Sequence, residues 1–298
     1  MVYMENFLSI VIITCNRKKE LEKTLKSCMS FADMNCEIII VDNNSNDGTK
    51  EMVEQFETPK HVIIRPFFMH ENLGVAGARN YGFKMANSKV VYFIDDDAYF
   101  DEDSKKLSYA YYYLLNNHNV FAIATEINDL KKKCMLKERS EKGNVQKVFS
   151  FIGASHFIRK DYVKTKDLYP EKLFYGSEER YACLCAYKDG LDIAYCEEIK
   201  VIHDPSTFTR ASNYENIRNI YINTFIVKRL TLPKSLLPIS TIMFYLRLVR
   251  FCNWRIDRYF ECYKLYKERY IDNKYGTYRL PFKSALQLMK RFGIKMVL

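Results

Sequence analysis

Four short runs of consecutive apolar, largely β-branched residues dominate the first hundred positions: 8–13 (LSIVII), 37–41 (EIIIV), 61–65 (HVIIR) and 90–94 (VVYFI). Apolar and polar residues do not alternate within them, so each run suits a strand covered on both faces. Between the runs, residues 17–29, 47–56 and 74–86 carry apolar side chains at helical spacing. This alternation predicts an α/β fold, a Rossmann-like, mostly parallel sheet with crossover helices. Asn16 and Asn46 fall where two of the helices start and read as their N-caps. Downstream, residues 104–117 and 178–190 read as helical, with Gly190 as a C-cap. Residues 149–159 and 192–202 read as extended, 131–143 as a charged loop, and 216 onward as helix broken at Pro233 and Pro238.

The charge is unevenly placed. Of 46 Lys and Arg, 16 fall in residues 228–298 against 4 of the 36 Asp and Glu, so this stretch carries +12 and residues 1–227 carry −2. A basic segment of this kind seeks phosphate, in lipid headgroups, nucleic acid or an anionic acceptor. Within it Ile242, Met243, Phe244, Leu246, Val249 and Phe251 interleave with Arg247, Arg250, Arg255 and Arg258. That mixture suits an interfacial helix on anionic lipid, or equally a basic helix packed on its own acidic domain. The net negative first 227 residues and the lack of a nucleic-acid motif argue against nucleic acid as a partner. Nine cysteines without paired or metal-finger spacing point to a reducing, cytoplasmic compartment, with attachment to the inner face of the membrane as an open option. The apolar N-terminus reads as a first strand rather than a signal peptide, and no stretch reaches the roughly 18 apolar residues of a membrane span.

Asp95, Asp96 and Asp97 directly follow the fourth run, at the carboxyl end of a strand where open α/β sheets bind ligands. Three carboxylates this close repel one another unless a cation lies among them. A hard divalent ion with oxygen ligands, Mn2+ or Mg2+, is the natural occupant, and a solvated acidic turn is the alternative. The first run ends in Thr14-Cys15-Asn16-Arg17 and the second in Asp42-Asn43-Asn44, short polar side chains that can bond a base and a ribose or simply build turns. Asn72 and Gly74 form the next polar turn. Arg79, close behind on a helix start, suits a diphosphate, or else a helix surface. His203 ends an extended segment and is read as a metal or diphosphate ligand, or as a structural partner of Asp204. Gly153-Ala154 forms a small-residue turn.

Taken in order, SIVIITCNR, EIIIVDNNSNDGT, NLGVAGARNYG and VVYFIDDDA resemble the donor-binding half of glycosyltransferase family 2, the inverting GT-A type, including its bacterial polysaccharide-building members. The segment LFYGSEE with Ala186-Tyr187 and Gly190 resembles the place where such enzymes hold an acidic base. Many members have Glu-Asp where this chain has Glu178-Glu179, so the resemblance assigns the base to Glu179, with Glu178 as the second choice. Val201-Ile202-His203 and Arg218-Asn219 also resemble family positions, and the likeness covers residues 7–230.

The resemblance implies a metal-dependent inverting glycosyltransferase that moves a sugar from a nucleotide-diphosphate donor, by default a UDP-sugar, to a hydroxyl of a glycan, lipid-linked or other acceptor. It places Asp97 on the metal with Asp95 and His203, and Asp95 and Asp96 near ribose or ordered water. Asp42 is placed on the base with Thr14, Asn16, Arg17 and Asn44 beside it. Asn72, Gly74 and Arg79 follow along the donor, with Gly153 and Ala154 beneath the donor sugar. The implied organisation is a GT-A domain over 1–227, with a donor half at 1–100 and an acceptor half at 101–227, and a basic helical region at 228–298. A nucleotidyltransferase of similar architecture is the nearest rival, but it would be expected to have a glycine-rich turn where Thr14-Cys15-Asn16-Arg17 stands. A catalytically silent sugar-nucleotide binder is the other alternative, because Glu-Glu replaces the commoner pair.

Overall fold

A computed structural model describes residues 7–132, 134–136, 146–205, 213–270 and 278–298. The first half alternates β1 (Phe7–Thr14), α1 (Lys18–Phe31), β2 (Asn35–Asp42), α2 (Thr49–Glu54), β3 (Val62–Phe68), α3 (Gly74–Met85) and β4 (Val90–Ile94). Strands β1 to β4 are parallel, in the order β3-β2-β1-β4. Leu8, Ile10 and Ile12 of β1 pack with Leu21, Leu25 and Cys28 of α1, whereas Val11 joins Ile39, Val41 and Phe83 on the other face. Successive residues of one strand thus fill two different cores, which is why these runs show no polar alternation.

The second half extends the same sheet through β8 (Ser155–Arg159), β6 (Val120–Asp129), β9 (Asp192–His203) and β5 (Ala98–Phe100). Strand β8 lies antiparallel between β4 and β6, so its first residue Ser155 pairs with Ile94, the last residue of β4. Strand β9 runs parallel to β6 with Asp129 opposite His203, and β5 is antiparallel to β9 with Ala98 opposite His203. This topology delivers the Asp turn, the Gly153-Ala154 turn, Asp129 and His203 to one edge of the sheet. Helices α4 (Leu107–Asn116) and α5 (Glu178–Lys188) complete this half, and Gly190 follows α5 at φ +77°, as expected of a helix C-terminus.

Several expectations are revised. Asn16 and Asn46 are not side-chain N-caps: Asn16 Oδ1 accepts from the Asn46 backbone N–H at 2.8 Å. Asp47 does the capping instead, taking Lys18 N–H of α1 at 2.9 Å on one oxygen and Thr49 N–H of α2 at 3.1 Å on the other. In the expected 131–143 loop, Cys134–Leu136 forms a strand, β7, on β6, while residues 133 and 137–143 lie outside the described residues. Of the expected 149–159 extended segment only Ser155–Arg159 is strand.

Among the described residues five helices follow: α6 (Asn213–Thr231), α7 (Leu237–Phe251), α8 (Ile256–Tyr270), α9 (Phe282–Phe292) and α10 (Ile294–Val297). Pro233 sits between α6 and α7, and Pro238 lies in the first turn of α7, where proline is tolerated. α6 passes straight through residue 228, where the charge changes. α9 docks on the second half of the sheet domain: Phe292 packs its ring 5.8 Å from Phe149 and 6.1 Å from Tyr187, and Arg291 pairs with Asp192 at 3.0 Å. On α7, Phe244 and Leu248 are buried and Phe251 stacks on Tyr214 and Tyr221. The apolar residues read from 242–251 are therefore split between core and surface. Among the described residues, no helix is long and apolar enough to cross a membrane.

Candidate active site

The Asp turn is tied down from two sides. Asp95 N–H donates to the Ala154 carbonyl at 3.0 Å, and the Thr24 hydroxyl of α1 sits 2.8 Å from the Asp96 carbonyl and 2.7 Å from that of Ala98. Arg17 Nη1 reaches Asp96 Oδ1 at 2.8 Å and Asp97 Oδ2 at 3.1 Å. Burial pushes the Asp96 carboxyl up to about 7, with Arg17 opposing and Asp97 adding to the shift. Arg17, expected beside a base, thus stands on the acidic turn.

Asp95, Asp97 and His203 each present a ligand atom, and these atoms all lie within 4.8 Å of one another. Two carboxylates and an imidazole form a donor set that fits Mn2+ or Mg2+. His203 Nε2 lies 3.3 Å from Asp97 Oδ1, while Nδ1 lies 3.1 Å from Asp129 Oδ2. Burial works against the charged imidazole, but Asp97, Asp95 and Asp129 outweigh it and raise the His203 pKa. The structural partner of His203 is Asp129 rather than Asp204. A carboxylate behind a ligating histidine fixes both its ring orientation and its tautomer.

Arg79 is buried on α3 and gathers the site around itself. Nη2 bonds Asp95 Oδ1 at 2.7 Å and the Gly153 carbonyl at 2.9 Å, while Nη1 reaches Glu179 Oε1 at 3.1 Å and Glu178 Oε1 at 3.4 Å. Burial alone would lower its pKa, but the three carboxylates more than compensate, so the guanidinium stays charged. Its hydrogen bonds run to protein carboxylates and a carbonyl. The α3 N-terminus is also engaged, with Gly74 N–H on Asn72 Oδ1 at 2.8 Å and Val75 N–H on the Phe174 carbonyl at 2.7 Å. Gly74 has φ +70°, and any Cβ there would run into the Phe174 ring. At Gly153 a Cβ would collide with Glu179 Oε1 and crowd Arg79 Nη1 at 2.7 Å, so this turn owes its small residue to the close approach of those two side chains.

The two glutamates begin α5 and differ in setting. Glu178 is 1% exposed, and its Oε2 has no hydrogen-bond partner among the described residues. Burial and the neighbouring Glu179 raise its pKa while Arg79 opposes, which fits a protonated carboxyl. The Glu179 side chain keeps 19% of its surface in solvent. Upstream, Phe174 and Ser177 sit at φ +59° and +72°, positions that tertiary contacts must hold. Asn223 of α6 supplies such contacts, its Nδ2 lying within 2.9 Å of the carbonyls of Leu173, Tyr175 and Gly176, and Arg269 of α8 donates to Asn223 Oδ1 at 2.6 Å.

The expected nucleoside residues meet at the ends of β1 and β2. Thr14 pairs with Asp42 in the strand register, and Asp42 Oδ1 accepts from the Ser45 N–H at 3.1 Å and from the Ser45 hydroxyl. Burial raises the Asp42 pKa and those bonds oppose it. Asn16 and Asn44 flank this point at φ +54° and +65°, Asn44 being exposed, as Asn72 is. Asp129, Asn223 and Thr24 were not singled out from the sequence. A parallel β6–β9 register would have exposed Asp129, but nothing local announces it.

A mixed sheet carries an Asp-X-Asp turn with a histidine beside it, and a carboxylate pair opens a helix across the same edge, in an α/β protein. Residues 9–170 match the profile of Glycosyl transferase family 2, and the chain belongs to that family. It is 26% identical over 184 residues to glycosyltransferase AglE of Haloferax volcanii, covering 58% of this chain and 59% of AglE. It is 28% identical over 142 residues to the Escherichia coli UDP-Glc:alpha-D-GlcNAc-diphosphoundecaprenol beta-1,3-glucosyltransferase WfaP, covering 44% of this chain and 55% of WfaP. The chain thus spans little more than half the length of these two relatives.

Among solved structures, S. aureus TarS 1-349 in complex with UDP-GlcNAc superposes with a TM-score of 0.62 at 13% identity, over 97% of this chain and 89% of that one. Mannosyltransferase PcManGT from Pyrobaculum calidifontis, in complex with GDP-Man and Mn2+, gives 0.58 at 16% identity over 95% and 78%. The fold is GT-A, as the motifs implied.

Proposed function

We propose that this protein transfers a sugar from a nucleoside-diphosphate donor, a UDP-sugar first, to a hydroxyl of a glycan or lipid-linked acceptor, with inversion. The observation that carries the reading is Arg79, one buried guanidinium joining Asp95 of the metal-capable cluster to Glu179. The leaving-group side and the acceptor side of a displacement thereby stand on either side of one residue.

Asp95, Asp97 and His203 would hold a divalent cation, Mn2+ or Mg2+, which when bound neutralises charge developing on the departing diphosphate. Asp129 keeps His203 Nε2 turned inward. Arg17 balances Asp96 and Asp97, so the acidic turn persists without collapse. Thr14, Asn16, Asp42 and Asn44 hold the nucleoside, Asn72 and Gly74 shape its rim, and Gly153 with Ala154 floors the sugar. Glu179 takes the acceptor hydroxyl proton as that oxygen attacks from the face opposite the diphosphate. Arg79 keeps Glu179 aimed, while Glu178, buried and protonated, braces Arg79. WfaP is named for a UDP-glucose donor and a diphosphoundecaprenol acceptor, and TarS was solved with UDP-GlcNAc; both support a uridine donor, and WfaP a lipid-linked acceptor.

The test is thermal shift with UDP-glucose, UDP-GlcNAc and GDP-mannose, each with Mn2+ or Mg2+, followed by assay of nucleotide release. A UDP-sugar should raise the midpoint only with metal present, and E179Q should keep that rise while losing turnover. No stabilisation by any nucleotide sugar, or near-normal turnover by E179Q, would refute the proposal.

A further inference from the structure

Two of the C-terminal helices leave apolar stripes in solvent. On α7, Ile239, Ile242 and Leu246 stand at i, i+3 and i+7 and are 48%, 61% and 69% exposed; on α8, Ile256, Phe260 and Tyr263 stand at i, i+4 and i+7 and are 71%, 63% and 40% exposed. Trp254, in the turn between them, is 83% exposed. The opposite faces of both helices are already spent on α6: Phe244 stacks 3.8 Å from Phe225, Tyr266 lies 5.4 Å from the same ring, and Leu248 and Cys262 are buried. The outward stripes are therefore surplus to the core, and an apolar surface of this kind marks an interaction site.

Charge identifies the occupant. Residues 237–270 hold seven Lys and Arg against three Asp and Glu, and Arg247, Arg250, Arg255, Lys264 and Lys267 are all exposed around the stripes. A second copy docking face to face would bring like charge against like charge. An anionic bilayer meets both features: headgroups take the guanidinium and ammonium groups, and the acyl boundary takes the apolar stripe. A tryptophan at the tip belongs at that depth, with its ring in the boundary and its N–H among headgroups.

We infer that the α7–α8 hairpin lies in the headgroup layer of an anionic membrane with Trp254 inserted at its tip. The hairpin also bears on the site, since Arg269 of α8 bonds Asn223, which holds the carbonyls of Leu173, Tyr175 and Gly176 just ahead of Glu178 and Glu179. A membrane-seated hairpin would set the mouth of the site beside the bilayer. Docking itself is read by binding alone, so its failure and the failure of the proposed transfer reaction are separate results.

Trp254 is the only tryptophan in the chain, so its emission reports on the tip without a label. The full chain is mixed with phosphatidylcholine vesicles with and without phosphatidylglycerol, using brominated acyl chains as quenchers. The expected result is a blue shift, quenching and co-sedimentation with the phosphatidylglycerol vesicles, weakened by added salt. A W254S/F260S variant and an R250Q/R255Q variant, read by co-sedimentation, should each lower the bound fraction about tenfold while keeping the wild-type melting midpoint, since all four side chains are exposed. Absence of a blue shift on anionic vesicles, undiminished binding by both variants, or a concentration-dependent dimer that shields Trp254 without vesicle binding would each overturn it.

Discussion

Asp129 Oδ2 lies 3.1 Å from His203 Nδ1, and this contact leaves Nε2 of the same ring facing Asp97 Oδ1 at 3.3 Å. The two residues are brought together by the last register pair of β6 and β9, so a sheet contact sets the orientation of an imidazole. In D129N the ring loses its charged acceptor, and Mn2+ affinity should fall about 10–100-fold with the fold retained. Isothermal titration with Mn2+ checks this; an unchanged affinity would remove Asp129 from the site.

Arg79 carries three carboxylates at once. R79A leaves Asp95 and Glu179 without their shared counter-charge and Glu178 without its hydrogen-bond donor, and unfolding free energy should drop by about 3–5 kcal/mol. R79K should recover only part of this, because an ammonium cannot span Asp95 and Glu179 as a guanidinium fork does. Urea titration of both variants distinguishes this hub from an ordinary helix arginine, for which both changes would be nearly silent.

Gly153 offers a sharper probe of the proposed base. The added methyl of G153A displaces Glu179 and Arg79, which should cost about 1–3 kcal/mol of stability and slow turnover about a hundredfold. A variant that melts early but turns over normally would separate the turn from catalysis.

The Glu178 carboxyl gives a pH signature. Its folded pKa lies above its ordinary value of 4.5, at about 8, so between those limits the native state binds more protons than the unfolded chain. Stability should therefore fall as pH rises through that window, in metal-free protein. E178Q removes this ionisable group and should make the slope shallower, leaving the share that the raised Asp96 carboxyl contributes below about 7, seen as melting midpoints across the range. A wild-type slope persisting in E178Q would assign it to another residue.

The tail should behave as part of the same core. Phe292 is 1% exposed and packs on Phe149 and Tyr187, so F292A should cost about 3–5 kcal/mol. Chemical denaturation followed at α5 should show the loss in the same transition; a separate, earlier transition for α9 alone would contradict it.

The parallel half was legible because Leu8 to Ile13 and their counterparts are covered on both faces, a condition that writes itself into consecutive residues. The Asp turn and the Glu pair were legible because each is contiguous in the chain. The partners of His203 and Arg79 were not, since Asp129 is 74 residues from His203 and Glu179 is 100 from Arg79. One signal was present: Gly74, Ala76, Gly77 and Ala78 leave the start of α3 with little bulk, so an arginine directly after them can be closely approached by other elements. Asn16 and Asn46 misled because capping propensity names residue types, and Asp47 had the better geometry for both helix starts.

Asn223 is the feature with the widest reach. The family profile ends at residue 170, ahead of both glutamates, yet the bend that presents them is gripped by an amide on α6 and steadied from α8. The bend ahead of Glu178 and Glu179 is thus fixed by residues beyond the matched stretch. Substitution in α6 or α8 can shift both carboxylates while the β1–β4 half stays unchanged.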